Sequence, residues 1–174
     1  AVLNVTPDSF SDGGRFLDAD QAIERALRQV ELGADLIDVG GESTRPGADR
    51  IGVATALSRI LPVVESLADK GVPVSIDTMR AEVARAAVAA GAVLVNDVSG
   101  GLADPDMLGF LAGVSVPVVL MHWRGHSADM QSRASYPRGV VREVHDELGE
   151  RLFAAVAAGV DPEAILEFWF GAAA

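Results

Sequence analysis

The sequence predicts an α/β chain of parallel βα units, a (β/α)8 (TIM) barrel with about six of its eight units present. Three observations carry that expectation. Short apolar runs break again and again into polar, glycine-containing loops: Ala1-Val2-Leu3 into Asn4 to Gly14, Leu36-Ile37-Asp38-Val39 into Gly40 to Gly47, Val72 to Ile76 into Asp77-Thr78, Ala92 to Val95 into Asn96 to Gly101, and Val116 to Met121 into His122-Trp123-Arg124. Helical stretches closed by glycine separate these runs, and nothing between them reads as a hairpin. The runs are continuously apolar, as in strands covered on both faces. A doubly wound open sheet shares this pattern, but a dinucleotide-binding sheet carries G-x-G-x-x-G after its first strand, and the first loop here has only Gly13-Gly14. A barrel builds its site on the loops after the strand C-termini, and those are the polar ones here.

In chain order, Asp20 is expected to cap a first helix with Ile23, Ala26, Leu27 and Val30 on one face and Gly33 as its stop. The second has Leu57, Ile60, Leu61, Val64 and Ala68 on one face, and Pro62 inside that register predicts a kink or a restart before Gly71. The third follows Thr78, with Val83, Ala87 and Val88 apolar and Gly91 closing it. Asp104-Pro105 is a start signal for the fourth, since aspartate accepts free amides and proline suits the first helical position. Gly125 to Gly139, poor in apolar residues, reads as a mobile surface loop. The fifth helix carries Val141, Val144, Leu148, Leu152 and Val156 and stops at Gly159, and Asp161-Pro162 with Ala164-Ile165-Leu166 leads into a sixth strand.

The 174 residues, 49% of them hydrophobic, are enough for one core and are read as a single domain over 1–174. Net charge is −11, which disfavours nucleic acid and an anionic membrane as partners. Any bound anion must be held by local donors or a metal. With no cysteine there is neither a disulfide framework nor a thiolate metal site. No apolar run is long enough to span a membrane, and the expected location is the cytoplasm. His122 ends the fifth strand and is a candidate pocket residue, while His126 and His145 read as solvated; the three have no metal-ligand spacing.

Five stretches taken together, Asn4-Val5-Thr6-Pro7-Asp8-Ser9-Phe10-Ser11-Asp12-Gly13-Gly14, Asp38-Val39-Gly40-Gly41-Glu42-Ser43-Thr44-Arg45-Pro46-Gly47, Ser75-Ile76-Asp77-Thr78, Asn96-Asp97-Val98-Ser99-Gly100-Gly101 and Met121-His122, resemble dihydropteroate synthase, the pterin-binding TIM-barrel family. The resemblance runs in order to about Ile165. It implies a transferase of folate biosynthesis, a target of sulfonamides, that condenses 6-hydroxymethyl-7,8-dihydropterin pyrophosphate with p-aminobenzoate and releases pyrophosphate. It further implies a parent protein that is a homodimer.

The resemblance also implies roles for single residues. Asp77 and Asn96 would hold the pterin: one carboxylate can accept adjacent N–H donors of a 2-aminopyrimidinone, and an amide supplies both a donor and an acceptor. Alone, Asp77 reads as a helix cap and Asn96 as a turn former. Asn4 would coordinate Mg²⁺ beside the pyrophosphate, because magnesium takes hard oxygens and few of them from protein; alone, it reads as a loop residue or as an N-x-T acceptor. Pro7, Asp8, Ser9 and Phe10 with Thr44, Arg45 and Pro46 would form the p-aminobenzoate site, its ring against Phe10 and Pro46, with Asp8 and Arg45 as the catalytic pair. Asp8 would stabilise a cationic pterin methylene while water is excluded. Met121 joins the substrate-binding set.

The chain departs from the family where a D-P-G-x-G-F type segment is expected at strand six: it reads Ile165-Leu166-Glu167-Phe168-Trp169-Phe170-Gly171-Ala172-Ala173-Ala174. The later Ser-Arg-Lys segment and Arg-x-His pair have no counterpart here. A barrel needs roughly 200 residues or more, so turnover by this chain alone is not expected. Two further readings are a non-catalytic pterin-binding homologue and a pterin methyltransferase domain serving a corrinoid partner. The second has no use for the loops at Pro7 to Phe10 and Thr44 to Pro46.

Overall fold

The computed structural model describes residues 1–5, 15–42, 51–126 and 133–167. Six strands, β1 (Val2–Asn4), β2 (Ile37–Gly40), β3 (Val74–Asp77), β4 (Leu94–Asp97), β5 (Val118–Leu120) and β6 (Ile165–Glu167), form one sheet in the order β1-β2-β3-β4-β5-β6. Every neighbouring pair is parallel. Between them run α1 (Arg15–Glu31), α2 (Val53–Asp69), α3 (Ala81–Ala89), α4 (Met107–Leu111) and α5 (Val140–Ala157), and a single 3₁₀ turn, Pro162–Ala164, precedes β6.

The strand order decides between the two architectures. A doubly wound sheet reverses its order at a switch point. Here each strand lies beside the next in sequence, as in the wall of a barrel, and six of a barrel's eight units follow one another.

Strand alternation sorts the residues onto two faces. Leu3, Val39, Ile76, Val95 and Val118 lie in register on the outer face, fully buried against the helices. Opposite them lie Ala22 and Ala26 of α1, Ile60, Val63, Val64 and Leu67 of α2, Val83, Ala84 and Ala87 of α3, and Met107, Phe110 and Leu111 of α4. Each large aliphatic chain so buried contributes about 1.5–3 kcal/mol. Polar side chains are left to the inner face, so the runs that look continuously apolar in sequence hide an alternation at Asp38, Ser75 and Asn96.

Several element boundaries differ from the sequence expectation. The first helix begins at Arg15, so Asp20 sits inside it instead of capping it. The second runs unbroken through Pro62. Pro62 lies on the exposed side, where losing one amide donor is tolerated because the opposite side is locked into the core. The fourth helix begins at Met107, since Asp104 and Pro105 form a turn ahead of it. The carboxylate of Asp104 instead accepts the amide of Ala81 at 2.8 Å, capping the preceding helix α3. On α5, Leu148 is buried with Val144 and Leu152 half-buried, but Val141 and Val156 are exposed, and Glu143 and Ala155 are buried in their place.

Close packing explains one turn glycine. At Gly91, with φ +108°, a side chain would be strained, and its Cβ would fall 2.6 Å from Cβ of Ala68 on α2. Within the segment expected as a mobile loop, residues 127–132 lie outside the described residues; Ser135 and Arg133 each give a backbone carbonyl to Arg124.

Candidate functional site

The last residues of β1, β2 and β3 and the penultimate residue of β4 are small or polar, and pairing brings them into one row: Asn4 opposite Gly40, Gly40 opposite Asp77, and Asp77 opposite Asn96. Lacking a side chain, Gly40 lets its neighbours lean together over β2. A Cβ there would stand 3.3 Å from Asn4 Oδ1 and 3.5 Å from Asp77 Oδ2. Two hard oxygens from different strands thus face one gap, a donor set that suits a magnesium ion taking its other ligands from phosphate and water. Among the described residues no cluster of three or more His, Cys, Asp or Glu side chains could hold a metal by itself.

Beneath that row, Asn96 Nδ2 donates to Asp38 Oδ2 at 3.0 Å. The bond joins β4 to β2 and skips β3. Meeting of side chains from alternate strands is how the layers inside a barrel are built. Asp38 Oδ1, Asn96 Oδ1 and Ser75 Oγ are buried and have no hydrogen-bond partner among the described residues. Burial pushes the carboxyl of Asp77 up to about 7, and the charges of Asp38, Asp97 and Glu42 push the same way. This inner face is therefore rich in acceptors and short of donors.

Neighbouring groups hold the row in place. Asp97, fully buried, accepts from the Ser99 amide at 2.9 Å, the Ser99 hydroxyl at 2.7 Å and the Gly101 amide at 2.7 Å, which rigidifies the turn after β4. Burial raises its carboxyl above the ordinary range, while those hydrogen bonds oppose the rise. Arg80 donates to Glu42 at 2.7 Å and to the Ile51 carbonyl at 2.6 Å, bridging the two described ends of the β2–α2 connection. A small recess behind Asp77 is lined by Gly41, Glu42, Thr78, Met79 and Val98.

The structure thus brings together Asn4, Asp77 and Asn96 of the sequence-predicted set. Met121, half-buried, is the first residue after β5, in which Val119 is the partner of Asn96. Pro7, Asp8, Ser9, Phe10, Thr44, Arg45 and Pro46 lie outside the described residues. His122 follows the end of β5, and its Nε2 lies 2.7 Å from Glu147 Oε2 on α5. His126 is half-buried, edge-on to Trp123 with ring centroids 5.0 Å apart, because the indole offers it an apolar contact that solvent does not. His145 is exposed, as expected.

Two groups of residues escaped the sequence reading. Asp38 belongs to the first group; its signal is a lone charge within the apolar run Leu36-Ile37-Asp38-Val39. The second group surrounds Arg124, which donates to Glu147, and to Glu143 at 2.7 Å, while its guanidinium lies 4.0 Å over the Tyr136 ring. Both carboxyls are held below the ordinary range by Arg124 before all else. No spacing in the sequence announces a cluster drawn from residues so far apart.

The chain is similar to known proteins. The family model described as pterin binding enzyme matches residues 1–168. The dihydropteroate synthase of Mycobacterium leprae is 56% identical over 165 residues, covering 95% of this chain and 58% of that protein. A solved dihydropteroate synthase of Xanthomonas albilineans with 4-aminobenzoic acid superposes with TM-score 0.87 at 48% identity, over 98% of this chain and 60% of that one. Another from the same organism, in complex with 7,8-dihydropteroate, superposes with TM-score 0.83 at 43% identity, again over 98% and 60%. The chain therefore spans less than two thirds of the length of these relatives. With that match over almost its whole length, and with the polar row at the strand ends, the chain belongs to the pterin binding enzyme family.

Proposed function

We propose that this chain is the pterin-holding part of a dihydropteroate synthase, which joins 6-hydroxymethyl-7,8-dihydropterin pyrophosphate to p-aminobenzoate in folate biosynthesis. The observation that carries this reading is the acceptor-rich inner face formed by Asp77, Asn96 and Asp38. Buried acceptors without partners favour a ligand whose edge is crowded with N–H donors, as that of a 2-amino-4-oxopterin is. The complexes of the Xanthomonas albilineans enzyme with 4-aminobenzoic acid and with 7,8-dihydropteroate support the same substrates here.

In the reaction, the bond between the pterin methylene carbon and the pyrophosphate oxygen breaks, and its electron pair leaves with pyrophosphate. The lone pair of the aryl amine forms the new C–N bond, and an N–H proton is lost. Asp77 and Asn96 orient the heterocycle so that its methylene projects past the strand ends. Asn4 would hold Mg²⁺, which when bound neutralises the departing pyrophosphate. Asp8 would supply negative charge near the developing cation, with Arg45 as the second catalytic residue. Pro7, Ser9, Phe10, Thr44 and Pro46 would form the p-aminobenzoate site, and Met121 would join the substrate-binding set. The working protein is a cytoplasmic homodimer in this reading, and 1–174 forms one domain of it.

Titration calorimetry of the folded chain with 6-hydroxymethylpterin pyrophosphate and Mg²⁺ tests this. Binding is expected, weakened by about 1.5–3 kcal/mol in Asp77→Asn, the scale of a charged hydrogen bond. In Asn4→Ala the magnesium dependence should disappear. Equal affinity in all three proteins would rule out the assignment.

A further inference from the structure

Each of the first helices leans on the next: α1 packs on α2, α2 on α3 and α3 on α4. On α5 one flank is left bare. Glu147 meets His122 and Arg124, and the stem of Arg151 stands 3.1 Å from where a Cβ of Gly100 would lie, so these residues turn toward the ends of β4 and β5. Val141, His145, Gly149 and Phe153 recur every four residues along the other flank. Val141 is 74% exposed and Phe153 is 77% exposed, and an open groove of about 610 Å³ runs along His145, Gly149 and Phe153. Gly149 has nothing within 4 Å of where its Cβ would be, so a second helix can come close there, between the two large apolar side chains.

The inner face of the sheet stops in the same way. Asn4, Gly40, Asp77, Asn96, Val119 and Leu166 stand in one register row across the six strands. Val119 is buried, whereas Leu166 at the end of the row, and Val2 on the same face of β1, are exposed. Both border the gap that two more strands would fill in a barrel of eight. The superposed Xanthomonas albilineans enzyme has chain to spare for such a gap, since the match covers 60% of it.

We propose that the bare flank of α5 and the inner-face margins at Val2 and Leu166 form one docking surface for a polypeptide of two further βα units, and that the surface takes it without a covalent link. The first helix of that polypeptide seats on Val141, Gly149 and Phe153, and its strands close the sheet between β6 and β1. The contacts required are of the kind already made between neighbours in this chain, ladder hydrogen bonds and apolar burial, and neither depends on chain continuity. The inference rests on family membership and strand order, and is independent of which substrates the site takes.

The test refolds this chain from denaturant together with the segment of the Mycobacterium leprae dihydropteroate synthase that follows the part matched here. Sedimentation velocity should show a one-to-one complex, and amide exchange in α5 and β6 should slow when it forms. Phe153→Glu and Leu166→Lys, both at exposed positions that leave the fold intact, should each weaken the complex at least tenfold. Val93→Lys, an exposed change beside the middle strands, should leave it unaltered. A folded chain that leaves the segment unbound overturns the proposal, as does a complex that all three variants form equally well. Copies of the chain that hold one another and exclude the segment would make a second copy the occupant, which overturns it too. Assembly is read from mass and exchange, so its failure leaves the pterin reading to be decided by calorimetry alone.

Discussion

Asp77 sits where two demands on a carboxyl conflict: the fold buries it among other acidic groups, and a donor-rich ligand wants it ionised. With its value raised to about 7, the folded chain holds a proton there that the unfolded chain releases near 4. Its contribution to stability is therefore full below the ordinary aspartate range and is lost as pH rises to about 7. Asp77→Asn removes that loss. The variant should gain on wild type between pH 5 and pH 8 by an amount on the order of 2–4 kcal/mol, measured by guanidinium denaturation at each pH. A constant difference across that range would show that the carboxyl is not raised. At this scale the sequence was only partly legible: Asp77 and Asn96 could be chosen because they stand at strand ends, whereas Asp38 and Ser75 lie within strands, where side-chain direction depends on register.

Among the elements, α5 shows how far a periodic pattern can mislead. Its valines and leucines mark a helical face, but the helix turns Glu143 inward because Arg124 arrives from the end of β5 to meet it. The same guanidinium reaches Glu147 and the carbonyls of Arg133 and Ser135, so one side chain joins a strand end, a helix and a loop. Arg124→Met keeps most of the packing volume and removes every donor. Amide exchange in 133–138 should accelerate at least tenfold in that variant, with β3 and β4 unaffected. Uniform protection in both proteins would mean that the cluster does not anchor this segment. Glu143 and Glu147 contribute stability above the ordinary glutamate range, and it is lost as pH falls through their lowered values. Pro62 teaches the complementary lesson, since a local breaker on the solvent side yields to a buried opposite face.

For the molecule as a whole, sequential strand order leaves β1 and β6 at the two margins of the sheet. Val2 is 63% exposed and Leu166 is 45% exposed, both on marginal strands whose neighbours are fully packed. Unpaired margins with apolar side chains favour self-association. Sedimentation velocity should therefore show mass rising with concentration, and Leu166→Lys should suppress the rise. A monomer at every concentration would show that these margins are not adhesive. The βα repeat was readable from composition and punctuation because each unit is local. Closure into a curved wall was favoured in sequence by where the polar loops fall, and it is decided in space by the order of the strands and by the bond between Asp38 and Asn96 across β3.

Asp104 gives the fold a direction in time. Its carboxylate supplies the acceptor for the first amide of α3, yet it follows Ala81 by 23 residues. During synthesis from the N-terminus, the third helix emerges with that amide unserved and waits until the turn after the fourth strand has left the ribosome. The third unit is thus completed by its successor, and a nascent chain halted before residue 104 carries a helix whose beginning has not yet been written.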